Sequence, residues 1–122
     1  MAIRDAFSNN FETSDNHEIR KLQTHYYQND YEITKQAVIK TAIDFGCVKE
    51  YESEEFKELF FTFKKGDLII TLSNNSYYIT GVDIKINTNF VLAFKRPVKI
   101  IDEFYASLDK KLTLKRVGGE LG

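Results

Sequence analysis

The residues of this chain best able to do chemistry are its histidines and its cysteine. His17 and His25 are the only side chains that titrate near neutral pH without help from their surroundings. A metal site needs three or four converging ligands, and no Cys or His spacing in the sequence supports one. We therefore assign neither histidine to a metal ion and expect no cofactor.

Cys47 and the glutamates between positions 50 and 58 favour structural roles over catalysis. Cys47 follows a glycine at a predicted helix end, whereas a reactive thiolate is favoured at a helix N-terminus or beside a basic residue such as Lys49. The glutamates lack the spaced Asp and Asn ligands and the central glycine of a calcium-binding EF-hand loop. No phosphate-binding glycine loop or nucleophile elbow occurs, so we identify no catalytic residue.

The composition is typical of one globular domain. The chain has 122 residues, of which 43% are hydrophobic and 29% charged, enough for one core and too few for two. Its net charge of −1 argues against a surface built for nucleic acid, and its single cysteine excludes an intramolecular disulfide. No apolar run has the length of a signal peptide or a transmembrane helix, so we expect a cytoplasmic protein.

The elements that would position any site follow from periodicity. Alternating apolar and polar residues predict three consecutive strands within 56–87, and strands are also predicted at 19–27 and 47–52. Apolar stripes of helical period predict helices at 31–45 and 98–112. The order strand, helix, four strands, helix predicts an α+β fold in which an antiparallel sheet of about five strands carries both helices on one face. TATA-binding-protein-like domains have a similar order, which is an analogy of fold alone.

The ends of the chain are predicted to lie outside this domain. We assign residues 19–114 to the domain, residues 1–18 to a polar arm and residues 115–122 to a tail. Apolar residues recur every four positions in the arm (Ile3, Phe7 and Phe11), which is compatible with a short helix. A frayed arm and an arm that docks on a partner both fit this pattern.

Four large side chains fall on the strand face that the helices would leave open: Phe60, Ile69, Tyr77 and Ile79. A contiguous apolar group on a surface needs an explanation. Residues 88–96 or the arm could cover it, a second copy could pair through it, or a ligand or another protein could bind there. We therefore predict a non-catalytic interaction or ligand-binding module, with a homodimer formed through this face as one form of it.

Two alternative functions use other residues. An enzyme or small-molecule binder could have a pocket between the final helix and the sheet, with four polar handles: His25, Tyr26, Tyr27 and Tyr105. Weak binding of nucleic acid or an acidic surface could use the basic C-terminal region: Lys110, Lys111, Lys115 and Arg116. The same lysines also suit the negative end of a helix dipole, or attraction to the acidic turn at 50–58.

One stretch of the sequence carries a resemblance. Leu22-Gln23-Thr24-His25-Tyr26-Tyr27 before a capped helix resembles a stretch in small uncharacterised cytosolic proteins of Gram-positive bacteria. Those proteins are similar also in a short amphipathic arm at the front and in a final helix like residues 104–112. The resemblance implies no known activity and assigns no functional residue.

Overall fold

The fold is α+β and is built on one antiparallel sheet, as the element order predicts. A computed structural model describes residues 8–119. Its strands are β1 (Asn10–Glu12), β2 (His25–Tyr27), β3 (Val48–Ser53), β4 (Glu58–Phe63), β5 (Gly66–Ser76), β6 (Ile79–Thr88) and β7 (Leu114–Val117). Helix α1 is Tyr31–Asp44, helix α2 is Arg96–Lys111, and a 3₁₀ turn covers Arg20–Leu22.

The long strand β6 organises the sheet. The strands lie in the order β3-β4-β5-β6-β2-β7, and every pairing is antiparallel. Both β1 and β2 pair with the same side of β6, one after the other along its length. Strand β1 lies opposite residues 85–87, and β2 lies opposite residues 80–82.

The predicted count of about five strands is wrong, because the described residues form seven. Strands β1 and β7 have only three and four residues, too few for alternation to become visible in the sequence. Residues 10–12 and 115–117, which we assigned to the arm and the tail, therefore belong to the sheet. Phe11 lies in β1 and not in a helix, whereas Ile3 and Phe7 of the predicted arm helix lie outside the described residues.

The predicted strand at 19–27 is also corrected. Its first half forms the 3₁₀ turn, and only residues 25–27 pair in the sheet. Leu22 at the end of the turn is fully buried in the core, so this segment follows packing and not strand propensity.

The core lies between the sheet and the two helices. The inward side chains of β4, β5 and β6 are buried in alternation: Leu59, Phe61, Leu68, Ile70, Leu72, Val82, Ile84 and Ile86. Helix α2 buries the stripe that its period predicts: Val98, Ile101, Phe104, Tyr105 and Leu108. Helix α1 begins where the Asp30 carboxylate accepts a hydrogen bond from the Ile33 amide at 2.8 Å. Among residues 8–119, no helix is long and apolar enough to cross a bilayer.

Candidate interaction surface

Three apolar side chains line up across the outward face of the sheet, opposite the helices. Tyr51 of β3 pairs with Phe60 of β4, which in turn pairs with Ile69 of β5. Directly paired residues on one face have neighbouring side chains, so the three form a continuous line. Val48 lies in the next row, opposite Thr62. We call Val48, Tyr51, Phe60 and Ile69 the outer strip; Tyr51 is 61% exposed, and Phe60 and Ile69 are half-buried.

A bulge in β3 places two members of the outer strip on this face. The register shifts between Lys49 and Tyr51, so Val48 and Tyr51 share a face although they are three positions apart. On the inward side, the Glu52 carboxylate accepts hydrogen bonds from Lys35 of α1 and from Lys49. These bonds lower the pKa of Glu52 and tie β3 to the helix. Strict alternation gives Val48 and Tyr51 opposite faces, which is why the sequence did not identify them.

The other two side chains predicted for this face lie far from the outer strip. Ile79 begins β6, whereas the residue that pairs with Ile69 is Lys85, six positions and about 20 Å further along the strand. Tyr77 is exposed in the β5–β6 turn, where its ring packs edge to face on Tyr78 at 4.6 Å. The predicted group of four is therefore divided into two pairs.

Tyr26 lies on the outward face in β2, the strand next to the edge strand β7. Its ring lies against Gly81 of β6, where a Cβ atom would approach the ring to 2.8 Å. The Arg116 guanidinium stacks on the other side, 3.9 Å from the ring centroid. The Tyr26 hydroxyl donates to Asp15 at 2.6 Å, and burial, followed by this bond, raises the pKa of Tyr26 to about 12. Its polar group is thus already bound within the chain.

The remaining three predicted handles form a cluster on the opposite face, under α2. The rings of His25 and Tyr105 stack with their centroids 3.6 Å apart, which leaves no space for a ligand between them. His25 Nδ1 lies 3.0 Å from Asp109 Oδ1, and the same oxygen accepts the Tyr27 hydroxyl at 2.7 Å. The Tyr105 hydroxyl donates to the Val82 carbonyl at 2.7 Å. Burial raises the pKa of both Tyr27 and Tyr105 above that of free tyrosine.

Asp109 is a site residue that the sequence reading missed. It lies four residues after Tyr105, so a helix places both on one face, and this spacing was the available signal. The four side chains use their polar atoms on each other and on the backbone. They form a hydrogen-bonded cluster that is buried except at Asp109, whose side chain is 29% exposed, and they do not converge on an open cavity.

A cavity does lie between α2 and the sheet, but its lining is apolar. It has a volume of about 130 Å³ and is lined by Phe45, Cys47, Phe63, Leu68 and Ile100. Ligand pockets usually have about 300–1,000 Å³ and a few converging polar groups. None of the four predicted handles lines this cavity. The Cys47 thiol is buried, and burial raises its pKa.

The predicted basic patch is divided between elements. Lys110 and Lys111 end α2, and the Lys111 ammonium donates to Ser107 at 2.8 Å and lies 3.9 Å from Asp44. Lys115 and Arg116 lie in β7, where the register shifts: Arg116 pairs with Tyr26, and Lys115 is the extra residue of the bulge. Arg116 stacks on Tyr26, as described above. The four basic side chains therefore do not form one surface.

Asp83 is a half-buried carboxylate where β1 and β2 meet along β6. One oxygen accepts both the Thr13 hydroxyl at 2.7 Å and the Thr24 hydroxyl at 2.6 Å. Burial nevertheless raises the pKa of Asp83 above that of a free aspartate. The folded state therefore binds the proton more tightly than the unfolded state, and the associated stability is lost as pH rises through the folded pKa.

We expect Asp83→Asn to raise the free energy of unfolding by about 1 kcal/mol at neutral pH. The amide keeps the oxygen that accepts both threonine hydroxyls and removes the cost of burying a charge. Urea unfolding at a series of pH values measures this. The difference from the parent protein should shrink as the pH falls through the raised pKa of folded Asp83 and be lost below the pKa of an unfolded aspartate. A variant less stable than the parent at neutral pH would contradict the prediction.

The described residues offer surfaces for contact. Their buried polar side-chain atoms all have hydrogen-bond partners within the chain. Within residues 8–119, no group of three or more His, Cys, Asp or Glu side chains is placed to hold a metal ion. Comparisons with protein-family models, with curated proteins and with solved structures found no match.

Proposed function

We propose that this chain is a non-catalytic interaction module that pairs with a second copy through the outer strip. The observation that carries the proposal is the line of Tyr51, Phe60 and Ile69, in direct register on a sheet face opposite both helices. A sheet face with apolar side chains is stabilised when another sheet packs on it at about 10 Å. Most oligomers of one chain are two-fold dimers, in which the same patch meets itself.

The shape and surroundings of the outer strip favour a second copy as its partner. In such a dimer, a two-fold axis could run parallel to β4, between the two packed sheets and above Phe60. It would set Tyr51 of one copy over Ile69 of the other, so that apolar side chains contact apolar side chains. The rows on either side of Phe60 and Ile69 are polar: Glu58 pairs with Thr71, and Thr62 pairs with Asp67. They would form a polar rim, the usual arrangement of a protein interface. Pairing by strand edges is less favourable, because β3 is bulged and charged along its edge.

We expect Tyr51→Lys to weaken self-association at least tenfold, about 1.4 kcal/mol. The substitution buries a charge in an apolar contact, while the exposure of Tyr51 allows the variant to fold. Sedimentation equilibrium of the parent and the variant over a range of concentrations measures the change.

Tyr78→Lys is the matched control, because Tyr78 is equally exposed but lies in the β5–β6 turn. It should associate like the parent protein. A parent chain that stays monomeric at the highest attainable concentration would contradict the proposal. Equal weakening of self-association by Tyr51→Lys and Tyr78→Lys would also contradict it.

The remaining predictions from the sequence are kept as part of this proposal. A cytoplasmic location suits a small module with a single cysteine. The similarity of element order to TATA-binding-protein-like domains, and the resemblance to small Gram-positive cytosolic proteins, concern fold and kinship and supply no activity.

A further inference from the structure

A short apolar segment projects from one end of the molecule, between β6 and α2. Val91 is 97% exposed, and Leu92 and Phe94 each expose more than half of their surface. Exposed aliphatic side chains at successive positions are unfavourable in water unless something else covers them. We call Val91, Leu92 and Phe94 the apolar tip.

The fold holds this tip outward at both of its ends. Before it, the Asn9 side chain accepts a hydrogen bond from the Phe90 amide and donates one to the Phe90 carbonyl, both at 3.1 Å. Within it, Ala93 is fully buried and its carbonyl accepts from the Arg96 amide at 2.9 Å. The segment is thus pinned to the body, while Val91 and Leu92 project from it.

Backbone strain marks the same place. Phe94 and Lys95 are successive non-glycine residues with φ of +48° and +64°, in the left-handed region that side chains disfavour. Such conformations persist where the surrounding structure imposes them, and they concentrate at functional sites. Here they form the connection between the apolar tip and α2.

Five basic residues lie in the segments next to the apolar tip: Lys64, Lys65, Lys95, Arg96 and Lys99. The last three line a hollow beside Phe94, which Asp102 and Glu103 also line. The Asn89 amide donates to the Lys65 carbonyl at 2.9 Å, which places the β4–β5 turn beside the tip. Lys65 and Arg96 both lie over the Phe90 ring, at 5.8 and 5.0 Å from its centroid. These cation–π contacts hold two positive charges next to the apolar residues.

The opposite end of the molecule is acidic. Asp30 and Glu32 at the start of α1 face the β5–β6 turn, and Glu54 and Glu55 lie in the β3–β4 turn. A chain with a net charge of only −1 therefore has a basic, apolar end and an acidic end. A negatively charged surface would attract the first end and repel the second, which fixes the orientation of approach.

We propose that the apolar tip and its basic surround dock the protein on an anionic bilayer surface. The aliphatic side chains would enter the boundary between headgroups and acyl chains, and the five basic side chains would face acidic headgroups. Neither α1 nor α2 has to enter the bilayer, so the contact is peripheral and reversible.

The geometry favours a bilayer over two other anionic partners. Val91 is almost fully exposed, so a rigid protein partner would need a cavity matched to it, whereas a fluid bilayer adapts to any protruding side chain. Nucleic acid would use the basic residues but has no place for Val91 and Leu92, because its bases stack on aromatic or guanidinium planes. Only an interface that is both charged and apolar uses the whole surface.

The experiment uses the full chain and vesicles of phosphatidylcholine with and without phosphatidylserine. The chain has no tryptophan, so Leu92→Trp introduces a single fluorescent reporter at the tip. We expect its emission to shift to the blue on phosphatidylserine vesicles, to stay unchanged on pure phosphatidylcholine, and to lose the shift at high salt. Tyr78→Trp at the acidic end is the matched control and should not shift.

Two sets of variants separate the apolar from the charged contribution by co-sedimentation. Val91→Ser with Leu92→Ser should weaken vesicle binding at least tenfold, since two exposed aliphatic side chains no longer enter the bilayer. Lys64→Gln with Lys65→Gln should weaken it about 25-fold, roughly fivefold for each lysine. Lys40→Gln with Lys110→Gln makes the same charge change elsewhere and should have less effect than the Lys64 and Lys65 pair.

Several results would overturn this proposal. They are a lack of binding to phosphatidylserine vesicles at low salt, an unshifted Leu92→Trp emission, or equal losses for both lysine pairs. Binding that survives Val91→Ser with Leu92→Ser would reduce the contact to charge alone and would also contradict it. Association with an acidic protein but not with vesicles would assign the surface to a protein partner instead.

Discussion

Gly66→Ala should destabilise the protein by about 3 kcal/mol or more, the largest effect we expect from adding one methyl group. An added Cβ would lie 1.9 Å from the Asn87 carbonyl oxygen, which belongs to the backbone of the neighbouring strand. Backbone atoms cannot rotate away as a side chain can, so β5 and β6 would have to separate locally. Urea unfolding followed by circular dichroism measures the loss.

Gly46→Ala is the matched control for this substitution. Gly46 also has a positive φ, +85°, but no atom lies within 4 Å of the position of an added Cβ. It should therefore cost only the conformational penalty, about 1–2 kcal/mol. If Gly66→Ala is no more harmful than Gly46→Ala, the pairing of Gly66 with Thr88 is wrong.

Asp109→Ala should lower the free energy of unfolding by about 3 kcal/mol. The substitution removes the 2.7 Å acceptor of the fully buried Tyr27 hydroxyl and the 3.0 Å partner of His25 Nδ1. These two groups then keep only their longer contact with each other, at 3.4 Å. A buried polar group without a partner keeps the whole cost of its desolvation. Thermal or urea unfolding of the variant measures the loss.

A double-mutant cycle with Tyr27→Phe isolates the hydroxyl contribution. If the two groups are bonded, the double variant should be less destabilised than the sum of the single variants, because neither partner is left alone. Asp102→Ala provides a comparison on the same helix. Its carboxylate lies 4.0 Å from Lys21 with both side chains exposed, so it should change stability by less than about 0.5 kcal/mol. Additive effects of Asp109→Ala and Tyr27→Phe would contradict the cluster.

The middle of the sheet could be predicted from the sequence because three long strands follow each other with short turns. Their alternation decides which side chains face the helices, and Phe61 and Val82 are fully buried as it requires. The stripe of α2 was equally clear, since its apolar residues recur at helical spacing over four turns. Local pattern and tertiary packing agree in these segments.

The parts that the sequence did not predict depend on contacts between distant residues. Strands β1 and β7 are short, and they are strands because they can pair with β6 and β2. The bulge in β3 reverses the parity of Val48 and is not encoded by alternation. The pairing of His25 with Asp109 joins residues 84 positions apart, which no local spacing reveals.

The candidate surfaces, too, could be predicted from the sequence only in part. Phe60 and Ile69 were identified from their parity, but their separation from Ile79 required the register of β6. The apolar residues from 90 to 94 have no period, and the sequence indicated only that residues 88–96 could cover the open face of the sheet. Their outward direction depends on Asn9, which comes just before β1 and accepts a hydrogen bond from the Phe90 amide. Residues so far apart in the sequence give no local signal.

The edge position of β7 has a consequence for how the chain reaches its native state. Strands β3 to β6 form a meander, in which each turn connects two strands that are neighbours in both sequence and sheet. The pairing of β7 with β2 instead brings together Leu114 and Tyr27, which are far apart in the sequence. Closing so long a loop costs more entropy, so this pairing forms after the meander. During synthesis on the ribosome, β2 therefore keeps an open hydrogen-bonding edge until residues 114–117 emerge, and the nascent chain is most prone to mispairing in that interval.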